Sequence, residues 1–285
     1  MEVNEDGSNA AQSMSEIPLG IEDGSAGSSL GGETEALAEV RTQSPSNRGR
    51  NELYQGLILL AEGYIESVPA AEKFRILRAR LDRLNLGKTR FQALAVTSAV
   101  PAEGKSVVAV NLARALSSDP TGKTLLIDCD LRRPTVHKFF RLNREGGLSD
   151  ALFTKKISNN FIRSVGPGLD VMTAGTPVVD AAQTVERPEL AIFLQQFKRY
   201  YRYVVIDCPP TLLCPEPITL NSLADATLLV VRGWRTDRRL VKEAVNALGK
   251  EKLLGVVMNE GIDPAKQYLD YGYYGYYSDQ SRAPA

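Results

Sequence analysis

The 285-residue sequence predicts an α/β fold in which a mostly parallel, twisted sheet carries helices on both faces. Two observations favour this class. Short runs rich in Val, Ile and Leu alternate with segments whose apolar residues recur at helical spacing. The apolar runs are continuous rather than alternating with polar residues, which is typical of parallel strands buried on both faces.

The elements can be followed in order along the chain. The stretch AAEKFRILRARLDRL comes first and predicts a helix, because its apolar residues form one stripe: Phe74, Leu77, Leu81 and Leu84. Six apolar runs then predict strands: FQALAVTSA, TLLIDCD, LDVMTAG, YVVIDCP, ATLLVVR and LLGVVMN. Helical spacing between them predicts helices in VAVNLARAL, near residues 134–141, and in ELAIFLQQFKRY, ITLNSLAD and LVKEAVNALG.

Composition divides the chain into four parts. Residues 1–52 form an acidic stretch rich in Gly and Ser with little hydrophobic periodicity, so we expect a disordered arm. Residues 53–67 are a short apolar segment, expected to be a short helix or a docking segment. A folded domain is predicted over residues 68–262, and residues 263–285 are expected to be a flexible tail rich in tyrosine.

Charge and composition exclude several classes of function. The first fifty residues hold nine acidic side chains against three arginines, so the neutral chain leaves its folded part mildly basic. That balance suits a small polyanion such as a nucleotide, and not a nucleic-acid surface. The single histidine, His137, excludes a Ser/His/Asp or Cys/His triad. The three cysteines lack metal-ligand spacing and are expected to be reduced: Cys129, Cys208 and Cys214.

The sequence gives no sign of a membrane span. No apolar run reaches the roughly 18 residues that cross a bilayer. The N terminus shows no basic segment followed by an apolar one, the pattern of a targeting sequence. We therefore expect a cytoplasmic protein without a transmembrane segment.

A phosphate-binding loop is predicted in the stretch SAVPAEGKS, between a strand and a helix. In such loops backbone N–H groups and the helix N-terminus hold phosphate, the lysine reaches the outer phosphates, and the hydroxyl after it binds Mg²⁺. Ala99 occupies the position where the usual pattern begins with Gly. The alternative is that GKS occurs by chance in an ordinary connection between a strand and a helix and binds no phosphate. We expect a P-loop NTPase-like fold with these nucleotide-binding residues: Val100, Pro101, Ala102, Glu103, Gly104, Lys105, Ser106 and Val107.

Three carboxylates follow predicted strands. Asp128 and Asp130 end the run LLIDCD, and Asp207 ends the run VVID. Ligands of parallel sheets bind beside the C-terminal ends of the strands, so these groups are expected to meet in one crevice with the phosphate loop. Ser106, Asp130 and Asp207 are the predicted Mg²⁺ ligands. The alternative is that each Asp merely caps the helix that follows it.

These motifs resemble the bacterial tyrosine kinases of exopolysaccharide and capsule systems over roughly residues 70–278. SAVPAEGKS resembles their Walker A loop, LLIDCDLRRP their Walker A′ motif and VVIDCPP their Walker B motif. GGLSDAL, EKFRILR, GVVMN and the tyrosine-rich tail are also similar to the family. Partition and division-site ATPases of the same fold carry a signature lysine where this chain has Val100, which favours the kinases.

The resemblance implies a tyrosine kinase domain that uses ATP and Mg²⁺. Lys105, Asp128 and Asp130 are the expected catalytic residues, with Asp128 as general base, and Asn259 is expected to contact adenine. The chief acceptors would be tyrosines of the tail, phosphorylated in trans between subunits. These are Tyr268, Tyr271, Tyr273, Tyr274, Tyr276 and Tyr277.

The resemblance also implies an assembly. Glu72, Arg75 and Arg78 match the family's ExxRxxR motif, which joins subunits into a ring, although on a bare helix such a stripe is most often a solvated face. A separate membrane-embedded polysaccharide co-polymerase or adaptor would recruit the kinase to the inner face of the membrane, and its cytoplasmic tail would activate the kinase. A cognate tyrosine phosphatase is also expected, and a nucleic-acid partner is not.

Two other readings remain open from sequence. The chain could be a P-loop ATPase that acts as a nucleotide-dependent switch or regulatory subunit without kinase activity. Its Tyr/Gly tail could be an aggregation-prone low-complexity segment or a base-stacking one. Three departures from the family pattern are visible: Ala102 for a common Gly, Glu216 where an Asp often follows Walker B, and no NPxELL run in AGTPVVDAAQTVERPEL.

Overall fold

Eight strands form one sheet in the part of the chain that the computed structural model describes, residues 58–61, 68–87 and 90–260. The strands are β1 (Ile58–Ala61), β2 (Ala93–Ser98), β3 (Thr124–Asp128), β4 (Arg163–Gly166), β5 (Leu169–Met172), β6 (Tyr203–Pro210), β7 (Ala226–Arg232) and β8 (Leu253–Asn259). Their order is β1-β8-β7-β2-β6-β3-β5-β4. All neighbours pair in parallel except β4, which runs antiparallel to β5.

Helices connect most of these strands. They are α1 (Val68–Asn85), α2 (Lys105–Ser117), α3 (Val136–Phe139), α4 (Leu148–Thr154), α5 (Ala181–Val185), α6 (Pro188–Tyr200), α7 (Glu216–Leu223) and α8 (Arg238–Leu248), with a 3₁₀ turn over Asn159–Phe161. Within the described ranges, no helix is both long enough and apolar enough to cross a membrane.

The helices cover both faces of the sheet, so the predicted fold class is confirmed. On one face Phe74 of α1 and Leu112 of α2 share a buried cluster with Leu126 of β3. On the other face Phe193 of α6 shares a cluster with Ile127, the next residue of β3. Successive residues of a strand point to opposite faces, so burial on both faces requires the continuous apolar runs seen in the sequence.

The helix α1 packs by the predicted stripe. Phe74, Leu77 and Leu81 are at most 2% exposed, and Leu84 packs partly buried against the same core. Burying each such side chain contributes about 1.5–3 kcal/mol. The remaining faces of α1 carry the charged residues.

Two strands were not predicted from sequence. Residues 58–61 form β1 rather than a helix, and Ile58 pairs with Val256 of β8. The sheet therefore begins before residue 68. The other strand, β4, is a four-residue edge strand whose sequence, RSVG, has no apolar run.

The phosphate loop leaves the sheet where the direction of winding reverses. Its strand, β2, lies between β6 and β7, with β3 and β5 beyond β6 on one side and β8 beyond β7 on the other. Ligands of open α/β sheets bind at such a switch point, beside the C-terminal ends of the strands.

Candidate active site

The phosphate loop, residues 99–104, turns sharply into α2 at Gly104. This residue has φ +88, in the left-handed region that favours glycine. A Cβ at this position would lie 1.9 Å from Nδ2 of Asn259. Any side chain at position 104 would therefore displace the Asn259 amide and strain the backbone. Ala102 also adopts a positive φ, of 63°, where the sequence lacks the glycine common in the family.

Glu103 points into the protein instead of toward a nucleotide. Glu103 is buried, with only 2% of its surface exposed. Oε2 accepts a hydrogen bond of 2.8 Å from the Val100 amide, while Oε1 accepts from the Arg232 amide at 3.3 Å and from the Thr236 hydroxyl. The predicted contact of residue 103 with nucleotide can therefore involve its backbone and not its carboxylate. That carboxylate fixes the phosphate loop to the turn that follows β7.

Replacing Glu103 with alanine should raise the KM for ATP about tenfold or more. Three donors would lose their acceptor, at about 1–3 kcal/mol for each buried group, and the loop would lose its fixed geometry. Glutamine, which keeps one acceptor oxygen, should give an intermediate KM. Steady-state kinetics measure the effect, with exposed Glu145→Ala as the control. An unchanged KM in Glu103→Ala would contradict the assignment.

The structure brings the three predicted carboxylates together beside Lys105. Asp128 and Asp207 are paired residues on the adjacent strands β3 and β6. Nζ of Lys105 lies 2.7 Å from Oδ2 of Asp130 and 3.7 Å from Oδ1 of Asp207. It also donates to Oγ of Ser106 at 3.2 Å. One cation thus faces carboxylates from two strands at the edge where a triphosphate would bind.

Burial and mutual repulsion set the charges of this cluster. Burial raises the pKa of the Asp128 carboxyl to about 8, and the neighbouring Asp207 adds to the effect. Burial also raises the pKa of Asp207, against the opposing influence of Lys105. Burial alone would lower the pKa of the Lys105 ammonium, but Asp207 and Asp130 outweigh it and raise that pKa. Lys105 is therefore charged, and Asp128 titrates near neutral pH.

Asp128 also has a structural role. Its Oδ2 accepts hydrogen bonds from the amides of Thr135 and Val136, at 3.1 and 3.0 Å, at the start of α3. Its Oδ1 accepts from the Asp130 amide at 3.2 Å. Asp128 therefore does cap the helix that follows it, as the alternative from sequence proposed. The residue is fully buried.

The other predicted metal ligands fit Mg²⁺. Neither carboxylate oxygen of the fully buried Asp207 accepts a hydrogen bond within the described residues, so both have lone pairs for a cation. Asp130 and the Ser106 hydroxyl lie beside the same Lys105 ammonium. In the described part of the chain no three His, Cys, Asp or Glu residues group as a metal site. Mg²⁺ commonly takes only one or two carboxylates and completes its shell with water and phosphate oxygens.

A cavity of about 560 Å³ opens beside this cluster. Walker A, A′ and B segments all contribute to its wall, which includes Ala102, Lys105, Ser106, Asp130, Arg132 and Cys214. Its volume lies in the range typical of small-molecule sites.

An ion pair across the cavity wall was missed from sequence. Nε of Arg132, in the A′ motif, donates to Oε1 of Glu216 at 2.6 Å, and Glu216 is 2% exposed. Glu216, which stands where the family often has an Asp after Walker B, is thus the ion-pair partner of an arginine in the A′ motif. The signal was available, since both residues follow strands that end at the same edge of the sheet.

Asn259 braces the phosphate loop. Its Nδ2 donates to the Glu103 carbonyl at 2.9 Å, and the residue is 4% exposed. The adenine contact expected of this amide stays a prediction.

Comparison with known proteins identifies the family. Over 208 residues the chain is 32% identical to tyrosine-protein kinase YwqD of Bacillus subtilis strain 168, which covers 72% of this chain and 86% of YwqD. The chain belongs to the bacterial tyrosine kinases. A family model described as an AAA domain matches residues 94–234, from the phosphate-loop strand to the turn after β7.

Solved structures agree with membership of the bacterial tyrosine kinases. The kinase domain of Escherichia coli tyrosine kinase ETK is 29% identical, with a TM-score of 0.64 over 69% of this chain and 77% of that one. The chimerical protein CapA2B2 is 26% identical, with a TM-score of 0.67 over 76% of this chain and all of that one. The fold is thus that of the tyrosine kinases.

The kinase motif on α1 is divided between surface and interior. Nη1 of Arg75 pairs with Oε2 of Glu72 at 3.0 Å, and both side chains are more than half exposed. Arg78 instead turns inward, with its Nη2 3.5 Å from Oδ2 of Asp119 and its Nη1 donating to the Ala115 carbonyl at 3.3 Å. Glu72 and Arg75 thus lie on the surface of α1, whereas Arg78 holds α1 to the end of α2 within the chain. The predicted oligomeric role of the motif remains a prediction.

Several predicted features lie outside the described residues. They are the arm over residues 1–52 and the acceptor tyrosines of the tail, Tyr268, Tyr271, Tyr273, Tyr274, Tyr276 and Tyr277.

Without nucleotide and metal, the kinase should become less stable as pH rises toward 8. The folded state holds the Asp128 proton up to about pH 8, whereas the unfolded chain releases it near 3.8. The folded state therefore binds more protons across this window, and the free energy of unfolding falls with increasing pH. Thermal melts in chelator should show the decline, and Asp128→Asn should make it shallower, with the remainder due to Asp207, whose pKa is also raised by burial.

The matched control is Asp119→Asn. The pKa of Asp119 is lowered by hydrogen bonds from Thr121, so this carboxyl titrates below the window and its loss should leave the slope unchanged. A wild-type melting temperature that rises over the same range would contradict the prediction.

Proposed function

We propose that this chain transfers the γ-phosphoryl group of ATP to tyrosine hydroxyls, chiefly those of its own tail. The observation that supports this most directly is the convergence of Lys105, Asp130 and Asp207 beside the phosphate loop, in a chain of the tyrosine kinase family. Phosphoryl transfer depends mainly on positioning and on neutralising charge, which a half-buried lysine and the loop amides provide.

The chain's own residues have separable roles in this reaction. Loop amides and Lys105 hold the phosphates, while Ser106, Asp130 and Asp207 would hold Mg²⁺. When bound, the metal neutralises charge on the triphosphate. The tyrosine oxygen bonds to the γ-phosphorus as the bond from that phosphorus to the bridging oxygen breaks, and ADP leaves with the electron pair. The hydroxyl proton passes to the ionised form of Asp128, and because burial raises the pKa of this carboxyl to about 8, that form becomes more abundant as pH rises toward 8.

Access to Asp128 requires a rearrangement. Asp130 lines the cavity, whereas Asp128 is fully buried and already accepts three backbone hydrogen bonds. We propose that Lys105 leaves Asp130 for the phosphates as ATP binds, and that this opens a path from the tyrosine to Asp128. If Asp128 is the base, Asp128→Asn should remove the rise in rate with pH, whereas a conserved pH profile would move the role to Asp130.

The biological setting is proposed from the family. A separate membrane-embedded polysaccharide co-polymerase or adaptor would recruit and activate the kinase at the inner face of the membrane, and a tyrosine phosphatase would reverse the modification. Phosphorylation in trans within a ring would then regulate exopolysaccharide or capsule synthesis and export. The exposed Glu72–Arg75 pair supports a contact between subunits.

Phosphotyrosine blotting after incubation with Mg-ATP tests the proposed activity. Replacing the tail's six acceptor tyrosines by Phe should remove most of the signal, because the hydroxyl is the nucleophile. If the wild-type chain hydrolyses ATP but forms no phosphotyrosine, the result would instead favour a nucleotide-dependent switch. Retention of most of the signal in the six-Phe variant would place the acceptors elsewhere.

A further inference from the structure

A basic surface lies beside the point where the described chain ends. It consists of Trp234, Arg235, Arg238, Arg239 and Lys242, all of them exposed, on the turn after β7 and the first two turns of α8. Within the described residues none of its four cationic side chains makes an ion pair. One acid, Asp237, lies among them in sequence and a second, Glu243, follows Lys242, so positive charge is in excess.

One of those acids is already engaged. Asp237 caps α8, and its Oδ1 accepts a hydrogen bond of 2.8 Å from the Arg239 amide. The arginine guanidinium groups remain directed to solvent with five N–H donors each, in the planar arrangement that binds phosphate in a bidentate way. The surface therefore has the chemistry of a phosphate-binding site with an aromatic ring at its margin.

The turn that carries Trp234 is joined to the start of the tail. The Gly233 amide donates to the Asn259 carbonyl at 2.7 Å, and Nε of Arg232 donates to Glu260 at 2.5 Å. Trp234 is 75% exposed and has φ +61, a conformation that bulky side chains rarely adopt. The tail thus leaves the fold beside the basic surface.

The tail has the length to reach this surface. Seven residues separate Glu260 from Tyr268, and the eight Cα–Cα steps between them span up to about 27 Å when the chain is extended. From Arg235 to Lys242 the surface extends for only about 10 Å along the helix. All six acceptor tyrosines can therefore reach it without any change in the fold.

We propose that the basic surface binds the phosphorylated form of this chain's own tail. The inference rests on the proposed function. The unmodified tail, residues 263–285, carries three Asp against one Lys and one Arg and has little attraction for the surface. Each phosphotyrosine adds about −1.5 to −2 charges and three acceptor oxygens. Phosphorylation would thus move the tail from an active-site cavity onto the outside of α8.

A tethered ligand needs only modest affinity. A short flexible linker gives an effective concentration on the order of 1 mM, so a Kd of about 0.1 mM for a free phosphopeptide would keep the tethered tail about 90% bound. The surface would then retain product on the subunit that carries it and keep the phosphorylated tail out of a neighbour's cavity.

Direct binding tests the proposal, and the probe is already in the chain. Trp234 is the single tryptophan, so its fluorescence reports on this surface alone. The full-length Lys105→Met variant, whose tail stays unmodified, is titrated with a synthetic peptide of residues 264–280 that carries phosphotyrosine at Tyr273 and Tyr274. We expect the phosphopeptide to bind at least tenfold more tightly than the unmodified peptide, and added salt to weaken it.

Charge reversal locates the site. Arg238→Glu with Arg239→Glu should weaken phosphopeptide binding at least tenfold, and Arg235→Ala with Lys242→Ala should also weaken it. The matched control is Lys156→Glu with Arg199→Glu, which changes the net charge equally at exposed positions outside the basic surface and should leave binding unchanged. Melting curves of each variant establish that it folds.

Three outcomes would overturn the proposal: equal binding of the two peptides, wild-type affinity in both basic-surface variants, or binding of phosphatidylserine vesicles without any preference for the phosphopeptide. Because the peptide is phosphorylated chemically and the protein is inactive, these results do not depend on kinase activity. Failure of the proposed function would appear separately, as a lack of phosphotyrosine after incubation of the wild-type chain with Mg-ATP.

Discussion

Replacing Lys105 with methionine should lower the rate of tyrosine phosphorylation by about 10²- to 10³-fold, the usual loss when a preorganised charge-stabilising group is removed. The Lys105 ammonium lies within 4 Å of both Asp130 and Asp207, and methionine fills similar space without the charge. The outer phosphates would then face the carboxylates without this cation. Phosphotyrosine formation at saturating ATP measures the effect.

A matched substitution separates this effect from a general loss of charge. Lys123→Met removes an exposed lysine whose Nζ lies 3.6 Å from Asp170 and which precedes β3, at the end of the sheet opposite the cavity. Its rate should equal that of the wild type. A Lys105→Met variant that kept more than a tenth of the wild-type rate would contradict the assignment of Lys105.

Replacing Gly104 with alanine should abolish nucleotide binding and lower the free energy of unfolding by about 2–4 kcal/mol. The new Cβ would lie 1.9 Å from Nδ2 and 3.1 Å from Cγ of Asn259, and the residue would be held at φ +88. Left-handed backbone at a non-glycine residue costs about 1–2 kcal/mol, and overpacking costs about 1–3 kcal/mol more. Denaturant unfolding and nucleotide titration measure the two effects.

Gly166→Ala is the matched control, because a Cβ there would have no atom within 4 Å. A double variant divides the cost of Gly104→Ala into its parts. Asn259→Ala removes the atoms that clash, so the pair should be less destabilised than the sum of the single variants, leaving mainly the backbone strain. Additive losses would show that the Asn259 amide is not the obstacle.

The sequence was sufficient to predict the features that depend on local pattern. Continuous apolar runs predicted the central strands because burial on two faces leaves few polar positions in them. The same reasoning predicted that Asp128 and Asp207 would meet, since both end parallel strands, and the structure pairs them directly. The stripe of Phe74, Leu77 and Leu81 was likewise legible from spacing alone.

Features that depend on long-range partners could not be predicted. The run at Ile58–Ala61 is too short to distinguish a strand from a helix until β8 is known to lie beside it. In sequence Arg78 matches a surface motif, and only the fold brings Asp119 within reach of it. The inward direction of Glu103 follows from donors that arrive from the end of β7, more than a hundred residues away in sequence.

The pairing of β1 with β8 has a consequence for handling the protein. β8 is a seven-residue apolar strand, and its outer side would be an open hydrogen-bonding edge if β1 did not occupy it. Unprotected edges of this kind recruit strands from other molecules and promote aggregation. A truncation that starts at residue 68 would keep every catalytic side chain, yet it would uncover this edge, whereas one that retains residues 58–61 would keep it shielded.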